Sequence, residues 1–206
     1  MFDETELERV KSQSRGRMKT TPYMQKGSAK DYSTSRTSKV FYLNEIYVQD
    51  AMTLSKRIQL ATKFKLKDDK YGSENYQVMN YGMGGRISGH VDSVNSDDDQ
   101  NSMSEWLKFG GVRFMTFMIY MSTVESGGRT LFPQLGISVQ PRLGDALFWF
   151  NVGSKFTYDS RAYHLGCPVL YGNKWIANKW VKILAQFSQY PCSVEADDFH
   201  FSIYKE

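Results

Sequence analysis

Two short segments of the chain carry side chains that could bind one metal ion: His90-Val91-Asp92 and, much further along, His164. Side chains at positions i and i+2 of an extended segment point to the same face, so His90 and Asp92 can reach a common point. A later strand can bring His164 to that point. Two imidazoles and one carboxylate leave half of an octahedral coordination sphere open, which leaves room for O2 and an electron donor.

A His-x-Asp pair is a weak signal alone, because it occurs often by chance. Histidine is scarce here, however, and two of the three histidines fall in this arrangement, each on a stretch predicted to be a strand. The third, His200, lies in a polar C-terminal segment, and we interpret it as a solvated side chain. The pattern therefore favours the two-histidine, one-carboxylate triad of non-haem Fe(II) oxygenases.

The composition of the chain limits its class. A length of 206 residues suits one domain with a substantial core, so we predict a single catalytic domain over residues 1–206. Aromatic residues make up 15% of the chain and cluster in alternating runs, which favours a β-rich fold. The longest apolar stretches fall short of the roughly 20 residues that a membrane-spanning helix needs. We therefore expect no membrane span.

The net charge of +4 is unevenly placed. Residues 1–40 carry nine Lys and Arg against five Asp and Glu, whereas the remainder carries seventeen of each. The N-terminal part lacks the dense basic cluster that nucleic-acid binding usually needs, so we expect a solvated edge and no nucleic-acid partner.

The N-terminal part of the chain predicts two helices and a strand pair. A short helix to about Ser14 is predicted at the N-terminus. Acidic residues within positions 3–8 are followed by Arg9 and Lys11, and this charge order suits the helix dipole. Residues 15–21 and 32–40 are predicted to be strands joined by a turn. Apolar residues at three- to four-residue spacing between 44 and 64 predict one long helix whose apolar stripe packs on a sheet. The residues of this stripe are Ile46, Tyr47, Ala51, Leu54, Ile58 and Ala61.

From residue 76 the pattern changes to short strands separated by Gly, Pro and Asp turns. The predicted strands are 77–81, 86–92, 112–122, 130–132, 137–140, 145–151, 161–164 and 175–184. Many short strands with a helix outside predict an α+β, β-rich double-sheet barrel or jelly roll, whose mouth is where metal ligands from different strands could meet. Residues 1–75 would support the barrel, 76–184 would form it, and 185–206 would be a C-terminal tail.

Several blocks in order resemble the catalytic domain of procollagen-type prolyl 4-hydroxylase alpha subunits, a family of Fe(II)- and 2-oxoglutarate-dependent dioxygenases. The resemblance implies their fold, the double-stranded β-helix. The resemblance covers most of the chain, to about Cys192, and the combination is far more specific than any single motif. Its blocks are residues 36–39, 80–85 with 90–92, 113–122, 127–133, 144–149, 164–169, 172–175 and 178–180.

The resemblance implies a role for individual residues. It makes His90, Asp92 and His164 the iron ligands and Lys174 the partner of the distal carboxylate of 2-oxoglutarate. An ammonium inside a narrow barrel is a point charge that can pair with a carboxylate. Two residues that carry a hydroxyl match cosubstrate-binding positions, namely Thr116 and Tyr81. Each could instead be ordinary strand packing, and Trp149 and Trp180 are interpreted as core or pocket wall.

The resemblance also implies an activity. It is hydroxylation of peptidyl proline to 4-hydroxyproline in collagen-like proteins, coupled to decarboxylation of 2-oxoglutarate to succinate and CO2. Fe(II), 2-oxoglutarate, O2 and L-ascorbate would be required. The partners it implies are a proline-rich collagen-like peptide and, through regions outside this chain, protein disulfide isomerase and a second copy in a homo-oligomer.

The chain departs from the family pattern at three positions near the predicted site. Ile87 stands where the family usually has Tyr, Gly89 where it has Pro, and Lys182 where it commonly has His. Lys182 could still contact the cosubstrate. Two alternatives therefore stay open: a 2-oxoglutarate oxygenase with another protein substrate, and a non-catalytic structural or assembly member of the family.

Cys167 and Cys192 are the two cysteines of the chain. By themselves they could form a disulfide or remain two thiols. The resemblance implies a disulfide in an oxidising compartment, and therefore the endoplasmic reticulum lumen as the location.

Overall fold

A computed structural model describes residues 2–20, 37–66, 72–93, 110–153 and 158–187 of the chain. These residues form two α-helices and twelve strands. The helices are α1 (Glu4–Arg15) and α2 (Gln49–Thr62). The strands are β1 (Lys19–Thr20), β2 (Lys39–Leu43), β3 (Tyr76–Tyr81), β4 (Ile87–His90), β5 (Arg113–Tyr120), β6 (Ser126–Gly127), β7 (Thr130–Phe132), β8 (Ile137–Val139), β9 (Ala146–Phe150), β10 (His164–Gly166), β11 (Val169–Tyr171) and β12 (Lys174–Lys182).

The strands form two main antiparallel sheets and a short pair. The larger sheet has the order β1-β2-β3-β12-β5-β9, and the smaller has the order β4-β10-β7-β8, while β6 pairs with β11. β1, β2 and β3 are consecutive neighbours, as are β7 and β8, whereas the other neighbouring pairs in both sheets join strands that are separated in the sequence. The predicted β-rich jelly roll with two supporting helices is confirmed.

Both predicted helices exist, with local corrections. Asp3 caps α1, because its side chain accepts a hydrogen bond from the Glu6 backbone amide. The long helix is preceded by a 3₁₀ turn at Glu45–Tyr47 and begins only at Gln49, since Val48 is extended. The prediction that Ile46 and Tyr47 belong to its buried stripe was wrong, because both are exposed.

The core lies mainly between the helices and the outer face of the larger sheet. Its largest cluster combines residues of both helices with alternate residues of β3, β5 and β12. A second cluster lies on the opposite face of the same strands and lines the space between the two sheets. The strands β3, β5 and β12 are therefore buried on both faces, so that polar residues within them, such as Gln77, Thr116 and Asn178, are buried too.

Three strand predictions needed correction. Within the described residues, the strand predicted at 15–21 covers Lys19–Thr20, because α1 continues to Arg15. Its partner begins at Lys39, and the turn predicted between them lies outside the described residues. The strand predicted at 161–164 begins at His164 instead and is preceded by a 3₁₀ turn, Ser160–Ala162. No helix within the described residues is long and apolar enough to cross a membrane.

Candidate metal and cosubstrate site

The three predicted metal ligands lie together between the two sheets. His90 ends β4 and His164 begins β10, and the two residues are direct partners across these antiparallel strands. Asp92 follows β4 and points to the same place. One ligand atom from each of the three lies within 4.8 Å of the other two. Asp92 Oδ1 is 3.6 Å from His90 Nε2, and Asp92 Oδ2 is 3.9 Å from His164 Nε2.

Both imidazoles are oriented by backbone carbonyls. The Nδ1 atom of His90 lies 2.9 Å from the Ser88 carbonyl oxygen, and that of His164 lies 2.9 Å from the Ala162 carbonyl oxygen. A carbonyl oxygen can only accept, so each Nδ1 carries the proton and each Nε2 presents a lone pair towards the other ligands. Two neutral imidazoles and one carboxylate with open space beside them fit Fe(II).

Asp92 is held by a chain of two hydrogen bonds from the larger sheet. The Thr116 hydroxyl on β5 donates to Asp92 Oδ2 at 2.7 Å, and the Asn151 amide donates to Thr116 Oγ1 at 2.9 Å. Thr116 and Asn151 are both buried. The sequence predicted that Thr116 contacts the cosubstrate, and that contact stays a prediction. In the structure its hydroxyl fixes the carboxylate, leaving Oδ1 unconstrained.

The pKa shifts of Asp92 and His164 have the directions expected for a carboxylate that lies beside imidazole rings. Burial works to raise the pKa of Asp92, but the two imidazoles and the Thr116 hydroxyl outweigh it and lower the pKa below its usual value. Burial lowers the pKa of His164, and the charge of Asp92 only partly opposes this. The site therefore favours an ionised Asp92 carboxylate and a neutral His164 ring, which are the forms that bind metal.

Lys174 lies in the same cavity, at the start of β12. Its ammonium donates to Thr130 Oγ1 at 3.3 Å, and Thr130 also accepts a hydrogen bond of 2.8 Å from the Tyr120 hydroxyl. The rings of Tyr81 and Tyr120 lie with their centroids 5.7 and 5.8 Å from the ammonium. Burial lowers the pKa of Lys174 to about 8. The Tyr81 ring thus lies near Lys174, and the predicted hydrogen bond from Tyr81 to the cosubstrate stays a prediction.

The cavity that contains these groups has a volume of about 260 Å³. Its wall includes the three metal-ligand candidates and Lys174. It also includes Trp149 and Trp180, which the sequence suggested as core or pocket wall. The Trp149 ring packs on His164 with a centroid distance of 4.7 Å. The wall also includes Ile87, at one of the positions that depart from the family pattern. Aromatic and aliphatic groups around a few convergent polar ones are typical of a small-molecule site.

A charged cluster lies at the Asp92 end of the cavity. The Arg113 guanidinium donates to both oxygens of Glu74 at 2.7 and 2.8 Å and to the Asp92 carbonyl oxygen at 3.3 Å. It also stacks on Trp180, with its central carbon 3.5 Å from the ring centroid. Lys182 Nζ lies 2.8 Å from Glu74, and Lys182 is not among the described residues that line the cavity. Its contact with the cosubstrate stays a prediction.

Gly89 is explained by a tyrosine on the neighbouring strand. A β-carbon at position 89 would overlap the hydroxyl and ring of Tyr163, so the phenol lies directly against the Gly89 backbone. Gly89 and Tyr163 each precede one of the histidines, and side chains alternate along a strand, so this contact is on the face opposite the metal site. It joins β4 and β10 behind the two histidines.

Sequence reasoning missed three residues of this site: Thr130, Asn151 and Arg113. Thr130 and Asn151 looked like ordinary strand residues, and only the pairing of distant strands brings them to Lys174 and Thr116. Arg113 offered a signal, since it is a charged residue at the start of an apolar strand. Cys167 is partly buried, whereas Cys192 lies outside the described residues, so their disulfide stays a prediction. His200 also lies outside them.

Comparison with known proteins identifies relatives of this arrangement. Human prolyl 4-hydroxylase subunit alpha-3 is 38% identical over 163 residues, which is 79% of this chain and 29% of that protein. Chicken prolyl 4-hydroxylase subunit alpha-2 is 36% identical over 181 residues, which is 87% of this chain and 32% of that protein. The chain thus spans about a third of the length of these relatives or less. The resemblance to prolyl 4-hydroxylase alpha subunits is confirmed.

A solved structure has the same fold. The viral collagen prolyl hydroxylase of Paramecium Bursaria Chlorella virus-1, in its 2OG complex, superimposes with a TM-score of 0.62 at 23% identity, covering 88% of this chain and 91% of that one. The family model for the 2OG-Fe(II) oxygenase superfamily matches residues 76–182, which is more than half of the chain and includes His90, Asp92, His164 and Lys174. The chain belongs to the 2OG-Fe(II) oxygenase superfamily.

Proposed function

We propose that this chain binds Fe(II) and 2-oxoglutarate and hydroxylates peptidyl proline to 4-hydroxyproline in collagen-like proteins. 2-Oxoglutarate would be decarboxylated to succinate and CO2, with O2 consumed. The observation that carries the proposal is the presence, in one cavity, of the His90, Asp92 and His164 ligand atoms and the buried ammonium of Lys174. A dicarboxylate with a 2-oxo group needs both a metal at one end and a cation at the other.

Lys174 would hold the distal carboxylate of 2-oxoglutarate. Its hydrogen bond to Thr130 and the flanking rings of Tyr81 and Tyr120 fix the direction of the ammonium before the cosubstrate arrives. A buried ammonium without an opposite charge beside it is costly, and an incoming carboxylate removes that cost. The same residue therefore provides affinity and selects for an anionic cosubstrate.

His90, Asp92 and His164 would hold Fe(II), which supplies the O2-dependent oxidative chemistry when it is bound. The backbone carbonyls of Ser88 and Ala162 keep each Nδ1 protonated, so that each Nε2 can bind metal. Thr116 holds one oxygen of Asp92 and leaves the other for the metal. Trp149 packs against His164 and reduces the access of water to that side of the site.

A collagen-like, proline-rich peptide is the substrate we propose. Support comes from the identity of 36–40% to prolyl 4-hydroxylase alpha subunits across the segment that carries the site. L-Ascorbate, protein disulfide isomerase, a homo-oligomer, the Cys167–Cys192 disulfide and the endoplasmic reticulum lumen remain predictions that follow from the same relatives.

The test is 2-oxoglutarate decarboxylation by the purified chain with Fe(II), with and without a Pro-Pro-Gly repeat peptide. We expect succinate formation that the peptide stimulates, and 4-hydroxyproline in the recovered peptide. His164→Ala removes a proposed ligand and should abolish both products. Lys174→Ala should raise the KM for 2-oxoglutarate by at least tenfold.

Lys39→Ala is the matched control for the lysine variant, because Lys39 is exposed on β2 and lies away from the cavity. It should behave like the unmodified chain. Tight Fe(II) binding without succinate formation on any peptide would contradict the proposal and support a non-catalytic family member. Succinate formation with hydroxylation of another residue type would overturn the substrate class alone.

A further inference from the structure

A row of polar side chains crosses the larger sheet beside the metal-ligand candidates. Tyr42 on β2 is the register partner of Gln77 on β3, and Gln77 is the partner of Asn178 on β12. All three side chains line the cavity. We call Tyr42, Gln77 and Asn178 the polar row. Above and below it the same face of the sheet carries mostly apolar side chains, such as Met79 and Ile176.

The polar row connects the metal site with the surface. Asn178 is two residues from Trp180, whose register partner is Thr116, the residue that holds Asp92. Asn178 and Gln77 are 7% and 4% exposed, whereas Tyr42 at the other end of the row is 54% exposed. Adjacent strands are about 4.8 Å apart, so three strands cover roughly 10 Å between the buried and the exposed end.

The hydrogen bonds of the row are incomplete at both ends. The Gln77 amide donates to the Tyr42 hydroxyl oxygen at 2.8 Å, so the Tyr42 oxygen is an acceptor here and its own proton is available for another group. At the inner end, Asn178 Oδ1 is buried and has no hydrogen-bond partner within the described part of the chain. A buried acceptor without a partner is unfavourable, so this position suits a ligand that brings a donor.

We propose that the polar row binds the backbone of the extended peptide substrate next to the residue that is hydroxylated. This inference rests on the proposed function, because it assigns a peptide subsite to the same cavity. The Tyr42 hydroxyl would donate to a peptide carbonyl, and Asn178 Oδ1 would accept from a peptide N–H. Proline has no N–H, so in a Pro-Pro-Gly repeat only glycine can supply the inner donor.

The polar row would therefore distinguish peptides by the positions of their backbone N–H groups. An extended polyproline-type peptide makes no internal hydrogen bonds, and its carbonyl and N–H groups are free to pair with such a surface. A sequence in which every residue lacks an N–H would leave Asn178 Oδ1 without a partner. The row would thus favour proline-rich peptides that are interrupted by glycine over uninterrupted N-substituted ones.

The first experiment measures binding of a fluorescent Pro-Pro-Gly repeat peptide to the Zn(II)-loaded chain by anisotropy, beside the KM for the same peptide with Fe(II). Tyr42→Phe removes one hydroxyl and should raise both the peptide Kd and its KM by about 3- to 10-fold, the range of one neutral hydrogen bond. Tyr47→Phe is the matched control, because Tyr47 is exposed and lies outside the cavity.

The second experiment compares the glycine peptide with a peptide in which sarcosine, N-methylglycine, replaces each glycine. The unmodified chain should bind the glycine peptide about 3- to 10-fold more tightly. Asn178→Leu should lose this preference, whereas Asn178→Asp, which keeps an acceptor oxygen, should retain it. The preference is a ratio within one variant, so a general loss of folded protein does not imitate the result.

The outcomes distinguish the peptide-binding role of the polar row from the proposed hydroxylase activity. Equal effects of Tyr42→Phe and Tyr47→Phe, or a glycine preference that survives in Asn178→Leu, would overturn the peptide row even if the chain hydroxylates proline. Peptide binding with the expected variant effects but without succinate formation would support the row and contradict the proposed activity. A chain that neither binds nor turns over the peptide would overturn both.

Discussion

Thr116 is the residue of the larger sheet that orients the metal-ligand candidate Asp92. Its hydroxyl donates to Asp92 Oδ2 and accepts from Asn151. Thr116→Val keeps the shape of the side chain but removes this hydrogen bond, so Asp92 loses its orientation. We expect a loss of about 10- to 100-fold in Fe(II) affinity, the usual effect of removing a group that orients a metal ligand. Calorimetric titration of the metal-free chain with Fe(II) under argon measures this.

Thr20→Val provides the control, because Thr20 is exposed on β1 and remote from the cavity. If Thr116 instead served only the cosubstrate, Thr116→Val would raise the KM for 2-oxoglutarate and leave the Fe(II) affinity as it was.

Lys174 should give the cosubstrate affinity a defined pH dependence. Burial lowers its pKa to about 8. Only the protonated ammonium pairs with a carboxylate, so 2-oxoglutarate binding is at full strength below pH 8 and weakens as the pH rises through that value. The Kd should increase by about tenfold per pH unit above it. Titration of the Zn(II)-loaded chain with 2-oxoglutarate from pH 7 to 9.5 tests the slope.

Lys174→Arg keeps a positive charge at position 174 but removes its titration between pH 7 and 9.5. A guanidinium stays protonated throughout this range. Any 2-oxoglutarate binding by that variant should therefore be independent of pH, and a slope equal to that of the unmodified chain would assign the titration to another group.

Gly89 and Tyr163 should behave as a coupled pair. Gly89→Ala places a β-carbon where the Tyr163 phenol lies, so the strand β4 or the phenol must move. We expect a loss of about 1–3 kcal/mol in the free energy of unfolding, as in other overpacked sites, with weaker Fe(II) binding because His90 is adjacent. Urea unfolding of Gly89→Ala, Tyr163→Ala and the double variant measures the coupling. Additive losses in the double variant would show that the contact is unimportant.

At the level of elements, α2 is held by one apolar face. Ala51, Leu54 and Ile58 are completely buried against the sheet, whereas Leu60 on the other side is 71% exposed. Leu54→Ala should therefore reduce the free energy of unfolding by about 2–5 kcal/mol. Leu60→Ala should change it by no more than about 0.5 kcal/mol. Urea titrations of the two variants compare the same substitution in one helix, and similar losses would place the packing face elsewhere.

The sequence predicted most elements because their local patterns agree with their final environment. Asp3 at the start of α1 and the spacing of Ala51, Leu54 and Ile58 are local signals, and both were interpreted correctly. Ile46 and Tyr47 fit the same spacing, yet they belong to a 3₁₀ turn that Asn44 caps by accepting from the Ile46 amide. The extended Val48 separates this turn from α2, so the buried stripe begins later than predicted. Spacing alone cannot show where one helix type gives way to another.

Other features depend on partners that are distant in the sequence. The short strands β6 and β11 exist because they pair with each other, and neither has a pattern of its own. The metal-ligand candidates and Lys174 were predicted because their residue types and the family resemblance identify them. The contacts of Thr116 with Asp92 and of Thr130 with Lys174 were not predicted, since they depend on the register and packing of sheets that the local sequence does not specify.

For the whole molecule, the metal site joins the two sheets. His90 and His164 belong to the smaller sheet, whereas Asp92 is bonded to Thr116 of the larger one. A metal bound to all three should therefore stabilise the complete fold. At a free metal concentration of one hundred times the Kd, the gain is about 2.7 kcal/mol. Thermal unfolding with and without Mn(II) should show a higher Tm with metal, and Asp92→Ala should show none of this increase.

The positions of the three ligand candidates in the sequence determine the stage of folding at which iron can bind. His90 meets His164 only after β4 has paired with β10, and Asp92 takes its position only when β5 lies beneath it. Each of these contacts joins segments that are far apart in the sequence, so they form late in folding. No short fragment of the nascent chain holds the full ligand set. Iron would therefore load onto sheets that have already paired, and a shortage of iron would leave the protein without the added stability that the bound metal supplies.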